Sequence, residues 1–405
     1  MNQTLIQSKD KLWTQSFVSA CIGNFLLFFA FYLLVPIFPL YLIEEFHTSK
    51  SLIGIILSSY TLAALLIRPF AGFVLDMVNR KPLYLIAYVL FVITFVGYPL
   101  ANLIGIFLFI RILHGFTFGF VTTAGNSLIV DIMPASRRGE GLGYFGVANN
   151  LAMAVGPMTS LLMHDYYSYN AIFYVAIVSG LLGFIFATTI KSKSMVDRTI
   201  KQPMAFDRFF LFQGFNAGLC LLLMGIPYGM VVTFVAVFGK ELGIHSGVGI
   251  FFTLMAVGLT GSRLVGGKMV DKGKLVLVVI YGTAFCLIAF LGLVALKQII
   301  HLPKLVVVLF YTVSLILGIG YGLIFPAYNT LFVNLAPNNR RATASSTYMT
   351  SWDIGIGIGL IVGGRLADSA GGLPLAYLAG ALAVAFSLIF FWKVAGPHFE
   401  KNKLR

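Results

Sequence analysis

Charge is what this sequence has least of. Of its 405 residues only 10% are Asp, Glu, Lys or Arg, against roughly 25% in a soluble domain. With 59% hydrophobic residues, the chain has too little polar surface for water and suits a bilayer. Acids are the scarcer sign, 14 against 28 Lys and Arg, for a net charge of +14. The bases lie in short loops between apolar runs, so they read as a topology signal rather than a nucleic-acid surface. Cysteine is nearly absent. Cys21, Cys220 and Cys286 each lie inside an apolar run and read as packing residues, with no disulfide and no metal site. His47, His114, His164, His245, His301 and His398 are scattered, without metal-ligand spacing. There is no P-loop, and no G-x-G-x-x-G between a strand and a helix, so neither ATP nor a dinucleotide cofactor is expected. There is no cleavable signal peptide either. The first apolar run, from about Phe17, is too long for an h-region and more runs follow it.

Long apolar runs are what the chain does have. Twelve can be traced, at about 16–43, 51–74, 83–102, 104–130, 141–163 and 170–190, then 208–238, 247–270, 276–297, 304–331, 343–366 and 375–395. Each approaches or exceeds the ~20 residues that cross a bilayer as a helix. A polar stretch, 191–207, carries Lys191, Lys193, Arg198 and Lys201 between the sixth and seventh runs. The expected fold is an all-α membrane protein of 12 transmembrane helices, with one six-helix bundle at 1–190, a linker at 191–207 and a second bundle at 208–405. If the N-terminus lies inside, 20 Lys and Arg fall on the inner side. Five, Lys50, Lys240, Lys297, Lys304 and Arg365, fall on the outer side. That excess places both termini in the cytoplasm.

The halves repeat each other. Arg68, Gly72 and Asp76, spaced four apart, return as Arg263, Gly267 and Asp271 at an offset of 195 residues. Gly115, Gly119, Asn126, Pro134, Arg137 and Arg138 return at an offset of 203 as Gly318, Gly322, Asn329, Pro337, Arg340 and Arg341. Six helices is an even number, so both copies enter from the same side. This is a parallel repeat about an axis along the membrane normal, as in two transporter halves around a central cavity.

With these residues in view, the chain resembles the major facilitator superfamily along essentially its whole length. Gly72-x3-Asp76-x3-Arg80-Lys81 matches the family signature between the second and third helices, with Asn79 where Gly is usual. Arg111-Ile-Leu-His114-Gly115 resembles the fourth-helix motif of proton-coupled members. Gly143, Gly156 and Pro157 partly resemble the fifth-helix motif of antiporters, with Ala152 replacing one Gly and Ser160-Leu161 the terminal pair. The stretches Tyr32 to Tyr41 and Trp352 to Gly357 are similar to the arabinose-efflux-permease-like drug and metabolite exporters. The first span carries no acid, a departure from several multidrug exporters in this family that argues against polycations as substrate.

Asp353 lies about ten residues from either end of its span, where an ionised side chain costs at least ~2.5–3.5 kcal/mol. It is expected to face the cavity and bind a proton reversibly, with Arg111 and His114, three apart on one helix face, setting its affinity or relaying the proton. The plainer alternatives are a hydrogen-bonded structural Asp, an Arg held by carbonyls and a core His. Arg68, Gly72, Asp76, Arg80, Arg263, Gly267 and Asp271 form a candidate gate, in which a rim carboxylate docks on the N-terminus of a helix in the other half. The resemblance implies the same role. Asp131, Glu140 and Lys272 extend that rim. Cavity candidates are Asn24, Tyr32, Asn126, Asn149, Asn150, Gln213, Asn216, Tyr228, Tyr321, Tyr328, Asn329 and Trp352, each with a helix–helix hydrogen bond as its alternative.

The function expected is secondary active transport in the bacterial inner membrane, with export of a small organic molecule by proton exchange first and proton symport or facilitated import second. The partners are then substrate, protons and lipid, and a monomer is the default. An embedded enzyme would need catalytic residues clustered at one face. A non-transporting sensor would usually carry a long tail or added domain, whereas about a dozen residues follow Lys393.

Overall fold

A computed structural model describes residues 11–134, 137–192, 211–244, 246–337 and 340–404. Most of the expected linker lies outside the described residues, as do Lys9, Lys193, Arg198, Lys201, Arg208 and Arg405 of the topology count and the side chains of Asp76 and Arg341. All regular structure in the described residues is helical. In the first half α1 (Gln15–Leu34) and α2 (Ile37–Glu44) make one span, broken where Pro36 interrupts the hydrogen-bond ladder. The span is followed by α3 (Lys50–Met77), α4 (Arg80–Gly97), α5 (Ile104–Ile132), α6 (Arg138–Tyr166) and α7 (Tyr169–Thr189). The second half holds α8 (Phe215–Glu241), α9 (Ile250–Asp271), α10 (Leu275–Leu296), α11 (Pro303–Leu335) and α12 (Arg341–Ala367). Its last span, α13 (Gly372–Phe390), runs through one π turn into α14 (Gly396–Asn402).

Ten of these twelve spans are long and apolar enough to cross a membrane on composition alone. The other two, α6 and α12, are long enough at 29 and 27 residues but too polar. They are repeat-related, and each packs across the boundary between the halves, α6 on α9 and α12 on α3. Their polarity follows from that position, since they face the other half rather than lipid.

Small residues set the spacing inside each half. A Cβ at Gly115 would strike the carbonyl oxygen of Tyr60, and one at Gly119 would lie 2.7 Å from that of Ala64, so α5 lies directly on α3. The second half repeats this, with Gly318 against the Met255 carbonyl and Gly322 against that of Leu259, which seats α11 on α9. In lipid, where apolar side chains gain nothing from leaving solvent, such close backbone approach is a main source of helix association.

The boundary between the halves is closed at one end. The near face carries the α3–α4 and α9–α10 turns and both described chain ends; the far face is opposite. Toward the far face, Gly54 lies against the Leu360 carbonyl and Gly364 against that of Lys50, while Gly249 meets Met158. Toward the near face, a Cβ at Gly72, Gly143, Gly146 or Gly267 would meet nothing within 4 Å. The halves therefore touch along the far end, and at these near-end glycines neither half reaches the other. Replacing Gly318 by Val should cost about 1–3 kcal/mol by overpacking and lower the melting temperature in detergent, whereas Gly72→Val should melt like the parent. Equal melting of the two variants would contradict this packing.

Candidate functional site

Arg68 and Asp353 meet. Arg68 lies in the last third of α3 and Asp353 midway along α12, so their ion pair joins the halves. It sits where the tight far seam gives way to the open near end. Neither side chain is fully enclosed, with 25% of Arg68 and 16% of Asp353 exposed. The sequence reading assigned these residues to different tasks, Arg68 to a gate and Asp353 to proton binding with Arg111.

Arg111 sits elsewhere. It is 5% exposed, and its guanidinium carbon lies 4.8 Å from the centroid of the Phe38 ring and 4.3 Å from that of Tyr60. No described carboxylate pairs with it. A desolvated cation over two ring faces gains ~2 kcal/mol or more, which supplies part of what an acid would. His114 is fully buried among the rings of Tyr60, Phe91 and Phe95. Its Nδ1 lies within hydrogen-bond distance of the Tyr98 hydroxyl, at 2.7 Å, and 3.4 Å from Arg111 Nη1. The expected pairing of Arg111 with Asp353 is thus replaced by Arg68, and His114 is a core residue of the first half.

The other candidates divide. Asn24 is buried and donates to the Phe145 carbonyl at 3.4 Å, tying α1 to α6. Tyr321 is buried and donates to the Met224 carbonyl at 3.1 Å. Tyr328 is fully buried. Asn126, Gln213 and Asn329 are exposed. Tyr32, Asn149, Asn150, Asn216, Tyr228 and Trp352 are half-buried. Trp352, Tyr228 and Phe325 form a ring cluster, with centroids 4.9 Å apart for Trp352–Tyr228 and 4.8 Å for Trp352–Phe325. Tyr228 reaches the Sδ of Met153 in the other half at 3.6 Å. At the near face Arg80 pairs with Asp131 at 2.7 Å and Arg137 with Glu140 at 2.8 Å, both within the first half. Asp271 and Lys272 are exposed.

The far face holds a clamp that sequence reasoning missed. Asp368, just past the end of α12, accepts from the backbone N–H of Lys50 at 2.9 Å and of Ser51 at 2.7 Å, capping α3 from the other half. Lys50 Nζ pairs with Glu241 at 2.5 Å. Lys240 reaches Glu44 at 2.8 Å and His164 at 2.8 Å, and Tyr169 donates to Glu44 at 2.5 Å. A carboxylate docked on a helix N-terminus across the halves is the device expected of Asp76; it occurs here at the opposite face. A signal was present, because Asp165 and Asp368 also stand 203 residues apart.

Partial burial works against ionisation of Asp368, yet the hydrogen bonds from Ser51 and Lys50 and the Lys50 charge outweigh it and hold its carboxyl below the usual range. A depressed carboxyl stabilises the closed face fully above the ordinary pKa of about 4 and loses that contribution as pH falls through the lowered value. The contribution of Asp368 to the clamp should therefore persist from pH 8 to pH 5. At pH 8 a lone cysteine replacing the buried Leu360 should be protected from thiol reagents. Adding Asp368→Asn should raise its labelling severalfold; unchanged labelling would remove Asp368 from the clamp. For the central pair, Arg68→Gln and Asp353→Asn should each lower the melting temperature. The double variant should lose less than their sum, by ~0.5–3 kcal/mol; strict additivity would mean that the pair contributes nothing.

Two six-helix halves, related by a parallel repeat and separated by a boundary closed at one end and open at the other, define a transporter of the alternating-access kind. The chain belongs to the Major Facilitator Superfamily, whose sequence model matches residues 20–360 and 306–404. It is a multi-pass integral membrane transporter and not an enzyme. It is 21% identical to the staphylopine export protein of Staphylococcus aureus, over 87% of this chain and 90% of that protein. It is 24% identical to multidrug resistance protein 1 of Bacillus subtilis, over 93% and 96%, and 26% identical to multidrug resistance protein MdtG of Escherichia fergusonii, over 95% and 96%. In fold it is similar to the nucleoside transporter NupG, with a TM-score of 0.76 at 14% identity over 96% of this chain and 100% of that one. It is also similar to a D-xylose–proton symporter, with a TM-score of 0.76 at 15% identity over 95% and 98%.

Proposed function

We propose that the protein exports a small organic molecule across the bacterial plasma membrane in exchange for protons, with the near face and both termini in the cytoplasm. The observation that carries this reading is the Arg68–Asp353 pair. It is an acid and a base, one from each half, meeting inside a helical bundle with both side chains still partly open. Protonation neutralises Asp353 and removes the attraction, so a proton changes the relative energy of the states in which the halves meet differently. With the pair ionised, the near end stands open and substrate enters from the cytoplasm. The far seam then parts to release it, and a proton taken up from outside at Asp353 accompanies the return. One proton enters as one substrate leaves. The named relatives include an exporter and two drug-resistance proteins, which supports export over import. The excess of bases at the near face supports its cytoplasmic placement.

The far-face ion pairs suit such a cycle because they are weak. Partly exposed pairs are each worth ~0–1 kcal/mol, so the seam can open without a large input. Transport in inside-out vesicles under an imposed pH gradient tests the proposal, with a pooled library of drugs, sugars and metallophores read by mass spectrometry. Gradient-driven accumulation should appear in the parent and vanish in Asp353→Asn, while counterflow exchange persists. Accumulation indifferent to the gradient would make the protein a facilitator and remove the coupling role of Asp353.

A further inference from the structure

The second copy of the central pair is incomplete. The repeat of Arg68 is Arg263 on α9, and the repeat of Asp353 is Asn150 on α6. The same helices meet in both copies, α6 on α9 and, more extensively, α12 on α3, yet where one copy sets an acid against its base the other offers a neutral amide. Arg263 has no carboxylate partner among the described residues, and its Nε is buried without a hydrogen-bond acceptor. Tyr32 of α1, Tyr228 of α8 and Tyr348 of α12, from both halves, lie near enough to interact with it electrostatically. All three are half-buried. The guanidinium carbon lies 5.9 Å from the centroid of the Phe325 ring, whose cluster with Tyr228 and Trp352 offers flat apolar faces beside it.

We infer that Arg263, with the hydroxyls of Tyr32, Tyr228 and Tyr348, binds an anionic group of the substrate, and that the substrate is a small organic acid with a flat apolar body. Arg263 is half-buried with its Nε left without an acceptor, a cation inside a membrane bundle is costly, and a fixed protein acid is what this copy of the repeat lacks. A carboxylate takes up the fork of Arg in bidentate fashion, tyrosine hydroxyls donate to the same oxygens, and the neighbouring rings cover the apolar part. The missing acid thus arrives as cargo, and its binding draws on residues from both halves at once. This inference rests on the space between the halves being the transport site.

The test uses the purified full chain in detergent, with indole-3-acetate and benzoate as probes and their amides as uncharged controls. Binding is read by thermal shift and by tryptophan fluorescence, for which Trp352 lies beside the site. The acids should bind and the amides should not. Arg263→Gln should weaken acid binding about 10-fold to 100-fold, the worth of a charge-assisted hydrogen bond. Asn150→Asp restores the acid that the repeat lacks. It should raise the melting temperature and displace the acids, while leaving Arg263 and the fold in place. Equal effects of acid and amide, no stabilisation by either acid, or acid binding unchanged in both variants would overturn the inference. Proton-driven transport of an uncharged compound together with any of these results would leave the coupling proposal standing. Acid binding as predicted, with transport blind to pH, would do the reverse.

Discussion

The constraint that organises this protein is that a charge inside a helical bundle must find an opposite charge or an equivalent. Arg68 and Asp353 satisfy it across the boundary between the halves. That contact helps hold the halves together, and it is the one at which the proposed coupling would let a proton act. Arg111 meets the same demand differently. It is enclosed by Phe38, Tyr60, Tyr98 and His114, and ring faces and an imidazole nitrogen stand in for an acid. Arg263 meets it only in part, and so is the position where a ligand has most to offer.

Duplication explains where these positions fall. Each half presents one polar helix, α6 or α12, to the other half's α9 or α3. Two repeat-related seams result, the α3–α12 one the more extensive. They have diverged in charge, and only the α3–α12 seam keeps both members of the pair. Within each half, backbone contacts at Gly115, Gly119, Gly318 and Gly322 seat α5 firmly on α3 and α11 on α9. Between the halves, contact runs from the far end only as far as the Arg68–Asp353 pair and is reinforced by partly exposed ion pairs. Strong packing within halves and weaker contact between them is the division of stiffness that rigid-body rocking requires.

Much of the fold was legible in the sequence. Twelve runs of sufficient length and the doubled Arg-x3-Gly-x3-Asp spacing define the architecture without any contact information. The site was less so. Sequence periodicity places Asp353 deep in a span but does not say which helix of the other half lies opposite, so Arg111, with its motif, drew attention that belonged to Arg68. Asn24 and Tyr321 looked like cavity residues because polarity in an apolar run has two explanations, and here each bonds a neighbouring carbonyl. The far-face clamp was hidden because Lys50, Lys240, Glu44 and Asp368 lie at span ends, where a charge is ordinary and carries no signal of its partner.

The measurement that tests the account most directly is the distance across the near face as a function of pH. Spin labels replacing Asn79 in the α3–α4 turn and Lys272 in the α9–α10 turn would report it by double electron–electron resonance. The account predicts a long-distance population at high pH, redistribution toward a shorter one as pH falls, and a distribution frozen against pH in Asp353→Asn. Redistribution with pH that survives in Asp353→Asn would place the proton switch elsewhere in the molecule.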